Sequence, residues 1–127
     1  MENEIRVVIA DDQEGMRMIL RKMIARVEGD ELVGEAADGQ ELIEKFQQLR
    51  PQVVFLDVDM PVMNGVDAAQ RIQDLDPHAA LIFATAHEGY REEAFAVYAF
   101  DYLVKPFKNE EKIQEVLPSR RDEAHFR

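Results

Sequence analysis

Several apolar runs in this chain end in polar residues of particular types. Ile5 to Ala10 runs into Asp11 and Asp12, Val53 to Leu56 into Asp57, Leu81 to Ala84 into Thr85, and Tyr102 to Val104 into Lys105. If these ends meet, three carboxylates face one ammonium and one hydroxyl. Crowded carboxylates repel, and a divalent cation removes the imbalance. All the candidate ligands are hard oxygens, which favours magnesium, with manganese as the alternative. A carboxylate in such company can attack phosphorus and form an acyl phosphate. That chemistry needs positioning and charge neutralisation more than covalent help from the protein. Asp57 is the candidate nucleophile, with Lys105 and Thr85 as contacts for phosphoryl oxygens. Taken singly, these residues have plainer readings. Asp11 and Asp12 could cap a helix, Asp59 could be a turn residue, and Lys105-Pro106 could be a simple turn.

The elements that must position these residues follow from periodicity. Ile5–Ala10 is apolar and β-branched, as expected of a strand buried on both faces. Met16, Ile19, Leu20, Met23, Ile24 and Val27 then form one helical stripe. Leu32–Ala36 is a shorter strand, weakened by Gly34. Asp38-Gly39 signals a turn, and Leu42, Ile43, Phe46 and Leu49 mark a second helix stopped by Pro51. After the strand Val53–Leu56, the residues Val66, Ala69, Ile72 and Leu75 mark a third helix. Leu81–Ala84 is a fourth strand, Glu92–Val97 a fourth helix, Tyr102–Val104 a fifth strand and Asn109–Leu117 a last helix. Strand and helix alternate five times. The expected fold is α/β: a doubly wound, five-stranded parallel sheet with helices on both faces, flavodoxin-like, in strand order 2-1-3-4-5. In such a sheet ligands bind outside the carboxyl ends of the strands, a rule drawn partly from sheets of this same order. Asp11, Asp12, Asp57, Thr85 and Lys105 would all lie there.

Bulk properties narrow the function. The 127 residues suit one domain. The formal net charge of -11 argues against direct nucleic-acid binding. The sequence has no cysteine, which excludes thiolate metal sites and thiol catalysis. It has no apolar run near the length of a membrane span, and its first residues do not read as a signal peptide. A cytoplasmic protein with no membrane partner is the expectation.

The blocks "VVIADD", "VVFLDVDMPVMNG", "LIFATA" and "DYLVKPF" resemble, in order and spacing, those of the response-regulator receiver family of two-component signalling. The likeness covers roughly residues 5 to 117. The resemblance implies a phosphoacceptor domain that takes a phosphoryl group from a sensor histidine kinase onto Asp57 and switches a partner-binding surface. Such a domain is not a conventional enzyme, although it promotes its own phosphorylation and dephosphorylation. Asp11, Asp12, Asp57 and the main-chain carbonyl of Asp59 would hold Mg2+. Thr85 and Tyr102 would form the switch, and Lys105-Pro106 would be a cis peptide. Residues 1–117 would be the receiver and 118–127 a tail or the start of a linker. The stretch "TAHEGYREEAFAVYAFDYLVKPF" resembles receivers joined to LytTR-type DNA-binding domains. An output domain or a downstream protein would then be the target, with homodimerisation on activation and a role in transcription regulation. Two rivals stand beside this reading. "FLDVDMP" also looks like the Asp-x-Asp motif of haloacid-dehalogenase-type phosphatases, with Asp59 as acid/base, although the acidic pair precedes the nucleophile here. A degenerate receiver serving only as a protein-binding module is the other.

Overall fold

The computed structural model describes residues 4–86 in full and the backbone of residues 101–104. In chain order the elements are β1 (Ile5–Ala10), α1 (Glu14–Ala25), β2 (Asp30–Ala36), α2 (Gly39–Leu49), β3 (Val53–Leu56), α3 (Gly65–Leu75), β4 (Ala80–Thr85) and β5 (Asp101–Val104). The strands form one sheet in the order β2-β1-β3-β4-β5. Every neighbouring pair is parallel. The fold class and strand order expected from the sequence are therefore observed. The expected fourth and last helices, Glu92–Val97 and Asn109–Leu117, and the expected tail at 118–127 lie outside the described residues.

Strands β1, β3 and β4 are largely apolar because alternate residues feed two different cores. Ile5, Val7 and Ile9 of β1, Val53 and Phe55 of β3, and Ala80, Ile82 and Ala84 of β4 face α1, where they pack with Leu20 and Ile24. Val8 and Ala10, Val54 and Leu56, and Leu81 and Phe83 face the other way. They pack with Leu42, Ile43 and Phe46 of α2 and with Ala68, Ala69 and Ile72 of α3. Burying one such aliphatic or aromatic side chain contributes about 1.5–3 kcal/mol. The central strand β3 has all four residues buried, so its place in the sheet is held from both sides.

Local details depart from the periodicity. Ile19 and Leu75, expected on core stripes, are exposed. Leu20 and Ile24, four residues apart, carry the seam of α1, and Ile19 lies about 100° around the helix from Leu20. Leu75 is the last residue of α3. Val27 lies beyond the end of α1 and is half-buried. Strand β2 starts at Asp30, two residues before its expected start. Its register slips against β1: Val7 faces Leu32 and Val8 faces Gly34, leaving Val33 as the extra residue of a bulge. The glycine suits this point, since a Cβ on it would come within 2.7 Å of the Leu49 side chain.

Asp30, opposite Ile5 at the start of β2, is the odd residue of the lower edge. Both its carboxylate oxygens are buried, and neither has a hydrogen-bond partner among the described residues. Burial pushes this carboxyl up to about 7. A carboxyl raised in the folded state keeps its proton there and loses it more readily when unfolded. The contribution of this group to stability should therefore be fullest below about pH 4, near the ordinary carboxyl value, and fall as pH rises towards about 7. Asp30→Asn should melt close to the wild type at pH 4 and a few degrees above it at pH 8. Parallel melting curves for the two proteins across that range would show that Asp30 is not the titrating group.

Candidate functional site

The site lies at the carboxyl edge of β1, β3 and β4, where the ladder runs on past the strand ends. The Asp11 amide donates to the Ala36 carbonyl and the Asp57 amide to the Ala10 carbonyl, both at 3.0 Å. These bonds tie both backbones to the sheet while their side chains leave its edge. Asp11 and Asp57 are 1% and 7% exposed, and Asp12 is open to solvent. One carboxylate oxygen from each of the three lies within 4.8 Å of the others.

The same local device orients the two buried carboxylates. Asp11 Oδ1 accepts from the Gln13 amide at 2.9 Å, and Asp57 Oδ1 accepts from the Asp59 amide at 3.2 Å. Each is a side-chain bond to the backbone two residues on. Helix capping does not explain the acidic pair. The N-cap of α1 is Gln13, and among the described residues it makes no side-chain cap bond. Asp59 itself is exposed, and its amide serves Asp57. Thr85 ends β4 fully buried. Leu56 pairs with Phe83, so the same register sets Asp57 beside Ala84, one residue short of Thr85. Thr85 in turn pairs with Val104 of β5, and Tyr102 with Phe83. Lys105 and Pro106, with their expected cis bond, lie outside the described residues, as does the Tyr102 side chain.

Close backbone approach builds the loop between β3 and α3. The Gly65 amide donates to the Val58 carbonyl at 2.8 Å, and a Cβ on Gly65 would lie 2.0 Å from the Asp57 carbonyl oxygen. A Cβ on Gly39 would lie 2.1 Å from the Met63 carbonyl oxygen, so the start of α2 abuts the same loop. Asp38 fixes that start by accepting from the Glu41 amide at 2.7 Å, and Glu41 accepts from the Ala37 amide at 2.7 Å. Between Pro61 and Met63 the chain makes a γ-turn. The Met63 amide donates to the Pro61 carbonyl at 2.7 Å, with Val62 at φ 70°. A β-branched residue is strained there, yet Val62 is 81% exposed.

A cationic network that the sequence does not signal lies behind Asp11. Arg17 Nη1 of α1 donates to the Asp11 carbonyl at 2.5 Å, and Arg17 Nε lies 3.3 Å from Glu35 Oε1 of β2. Arg21 grips Glu35 with two bonds, of 2.6 and 2.9 Å. The Arg21 hydrogen bond holds the Glu35 carboxyl below its usual range, against the opposing effect of burial.

A carboxylate trio at the carboxyl edge of a doubly wound α/β sheet is the arrangement that the receiver resemblance implies. The comparisons agree. Residues 7–117 match the response regulator receiver domain. The chain is 42% identical over 105 residues to the chemotaxis protein CheY of Thermotoga maritima, covering 81% of this chain and 87% of that one. It is 37% identical over 113 residues to the sensory transduction protein LytT of Bacillus subtilis, covering 89% of this chain but only 46% of the relative. Among solved structures, the CheX-CheY-BeF3-Mg+2 complex from Borrelia burgdorferi superposes with a TM-score of 0.81 at 26% identity, over 94% of this chain and 88% of that one. This chain belongs to the response-regulator receiver family, a family of signalling phosphoacceptors. That membership sets aside the haloacid-dehalogenase alternative.

The close approach at Gly65 yields a direct expectation. Gly65→Ala has no room for its methyl unless the Asp57 carbonyl moves, so the variant should lose about 1–3 kcal/mol, the usual cost of overpacking. Urea unfolding measures this, and a loss below about 0.5 kcal/mol, the usual scatter of neutral substitutions, would mean that the loop yields freely.

Proposed function

We propose that Asp57 accepts a phosphoryl group from a phosphohistidine of a sensor kinase, and that Asp11, Asp12 and the Asp59 carbonyl join it in holding Mg2+. The observation that carries this is the convergence of three carboxylate oxygens within 4.8 Å on two buried strand ends and one exposed loop residue. Their all-oxygen donor set fits magnesium, or manganese, and does not fit a soft metal. The matching Borrelia complex contains BeF3 and Mg2+, which supports the same assignment here. When bound, the cation supplies charge neutralisation for the incoming phosphate.

The chain's own residues do the remaining work. An Asp57 carboxylate oxygen attacks the phosphorus, a P–O bond forms, the P–N bond to the donor imidazole breaks, and the imidazole leaves with the bonding pair. The Asp59 amide keeps Asp57 aimed through Oδ1. The family resemblance gives Lys105 one phosphoryl oxygen and Thr85 another. The same geometry lets water attack later, so the domain would promote its own dephosphorylation.

Thr85 is buried at the end of β4, so its hydroxyl reaches a phosphoryl group only by moving towards it. That movement would open space for the Tyr102 ring and alter the surface around β5. A modification that favours one of two existing arrangements by a few kcal/mol moves most of the population. The target is an output domain, as in a longer relative such as LytT, or a separate protein, as suits a relative of CheY's length. The proposal includes homodimerisation on activation and a cytoplasmic location. Among the described residues no helix is long and apolar enough to cross a membrane.

Two measurements test this reading. Intact-mass analysis after acetyl phosphate and magnesium should show one added phosphoryl group, absent in Asp57→Asn. Label that persists in that variant would move the acceptor elsewhere. Thr85→Ala should still be labelled, but beryllofluoride should shift the NMR signals of β5 much less than in the wild type. Full-sized shifts in Thr85→Ala would place the coupling on another route.

A further inference from the structure

We propose that Arg17 is a positioning residue for the metal-binding loop. Its guanidinium, braced by Glu35, clamps the Asp11 carbonyl and so fixes where the Asp11 and Asp12 carboxylates point. This rests on reading the carboxylate trio as a magnesium site.

The loop from β1 to α1 is only Asp11, Asp12 and Gln13, and it must deliver two of the three carboxylates. Asp12 and Gln13 are exposed, and among the described residues Gln13 caps α1 with backbone bonds alone, its carbonyl accepting from the Met16 and Arg17 amides at 3.1 and 3.2 Å. Asp11 is tied on its amide side to Ala36 and through Oδ1 to Gln13. Arg17 supplies the tie on the carbonyl side, the peptide that leads directly into Asp12. A clamp must itself be anchored. The Arg17 side chain is only 17% exposed and lies against Glu35. Glu35 is fixed in turn by the two bonds from Arg21, one helical turn further along α1. The chain of contacts Arg21–Glu35–Arg17–Asp11 therefore spans α1 and β2 and ends on the loop. A guanidinium suits this task because its planar fork can serve a carbonyl and a carboxylate at once, which a single ammonium does less well.

Charge and geometry predict opposite signs, which makes the role testable. Arg17 is a cation close to a cation site, so its charge alone opposes magnesium binding. Its removal should tighten binding if charge dominates and weaken binding if positioning dominates. Loss of a residue that orients metal ligands typically weakens affinity by about 10- to 100-fold, and Arg17→Met should fall at the lower end, about 10-fold.

The experiment is a magnesium titration of the full chain by calorimetry, at a temperature where circular dichroism shows each protein folded. Wild type, Arg17→Met and Glu35→Gln are compared. The Glu35 variant keeps Arg17 but removes its brace, and should weaken binding in the same direction by a smaller factor. It also carries the test if Arg17→Met does not fold. A role in fold stability alone would lower the melting temperature and leave the affinity of the folded protein unchanged, which overturns the proposal, as does tighter binding by Arg17→Met or unchanged binding by Glu35→Gln. A wild type that takes up no magnesium overturns the site reading and the clamp together. A wild type that binds beside an Arg17→Met of equal affinity overturns the clamp alone.

Discussion

The repulsion between Asp11 and Asp57 is the constraint that shapes the rest of the structure. Both are buried at strand ends, with carboxylate oxygens within 4.8 Å. Like charges held that close repel, and more strongly the further they are from water. Domain stability is only about 5–15 kcal/mol in all. A chain that accepts this cost must hold the two side chains firmly enough that they cannot relax apart, and it has a use for the field they create. Under the proposed function, that field would favour a small, doubly charged cation and, with that cation, an anionic phosphate.

The architecture supplies the firmness. Aspartates on a loose surface loop would splay, whereas here their backbones continue the ladders of β1 and β3. Those strands are gripped by apolar side chains on both faces. Amides two residues downstream then set the side-chain angles. Gly65 and Gly39 let the β3–α3 loop close against Asp57 and against the start of α2. The strain at Val62 fits a loop whose path is imposed by its surroundings. Stability at the carboxyl edge is thus spent on geometry, while the lower edge carries its own buried carboxyl at Asp30.

Much of this was legible in the sequence because it follows from periodicity and strand-end chemistry. The apolar runs of β1, β3 and β4 have no alternation to misread, and a polar residue at each end marks the edge. Asp11, Asp12 and Asp57 were legible for that reason, and the order of four motif blocks fixed the family. Features that depend on how separate elements touch were not legible. Nothing local in Gly34 says that the register slips at Val33, and Ile19 has the spacing of a core residue but sits beside the seam that Leu20 and Ile24 make. Gly39 reads as a turn glycine, and its contact with Met63 appears only when α2 and the β3–α3 loop are placed. Arg17 and Glu35 are 18 positions apart on different elements, in a chain with many charged residues, so no spacing rule pairs them.

The central claim is that the carboxylate trio works as a cation-dependent phosphoacceptor. It is tested most directly by the rate of labelling by acetyl phosphate as free magnesium is varied from excess chelator to saturation. Labelling should be near zero in chelator and rise along a single-site curve. Labelling in excess chelator that equals the rate at saturation would contradict the account, because the trio would then admit a phosphate donor with its negative charge uncompensated.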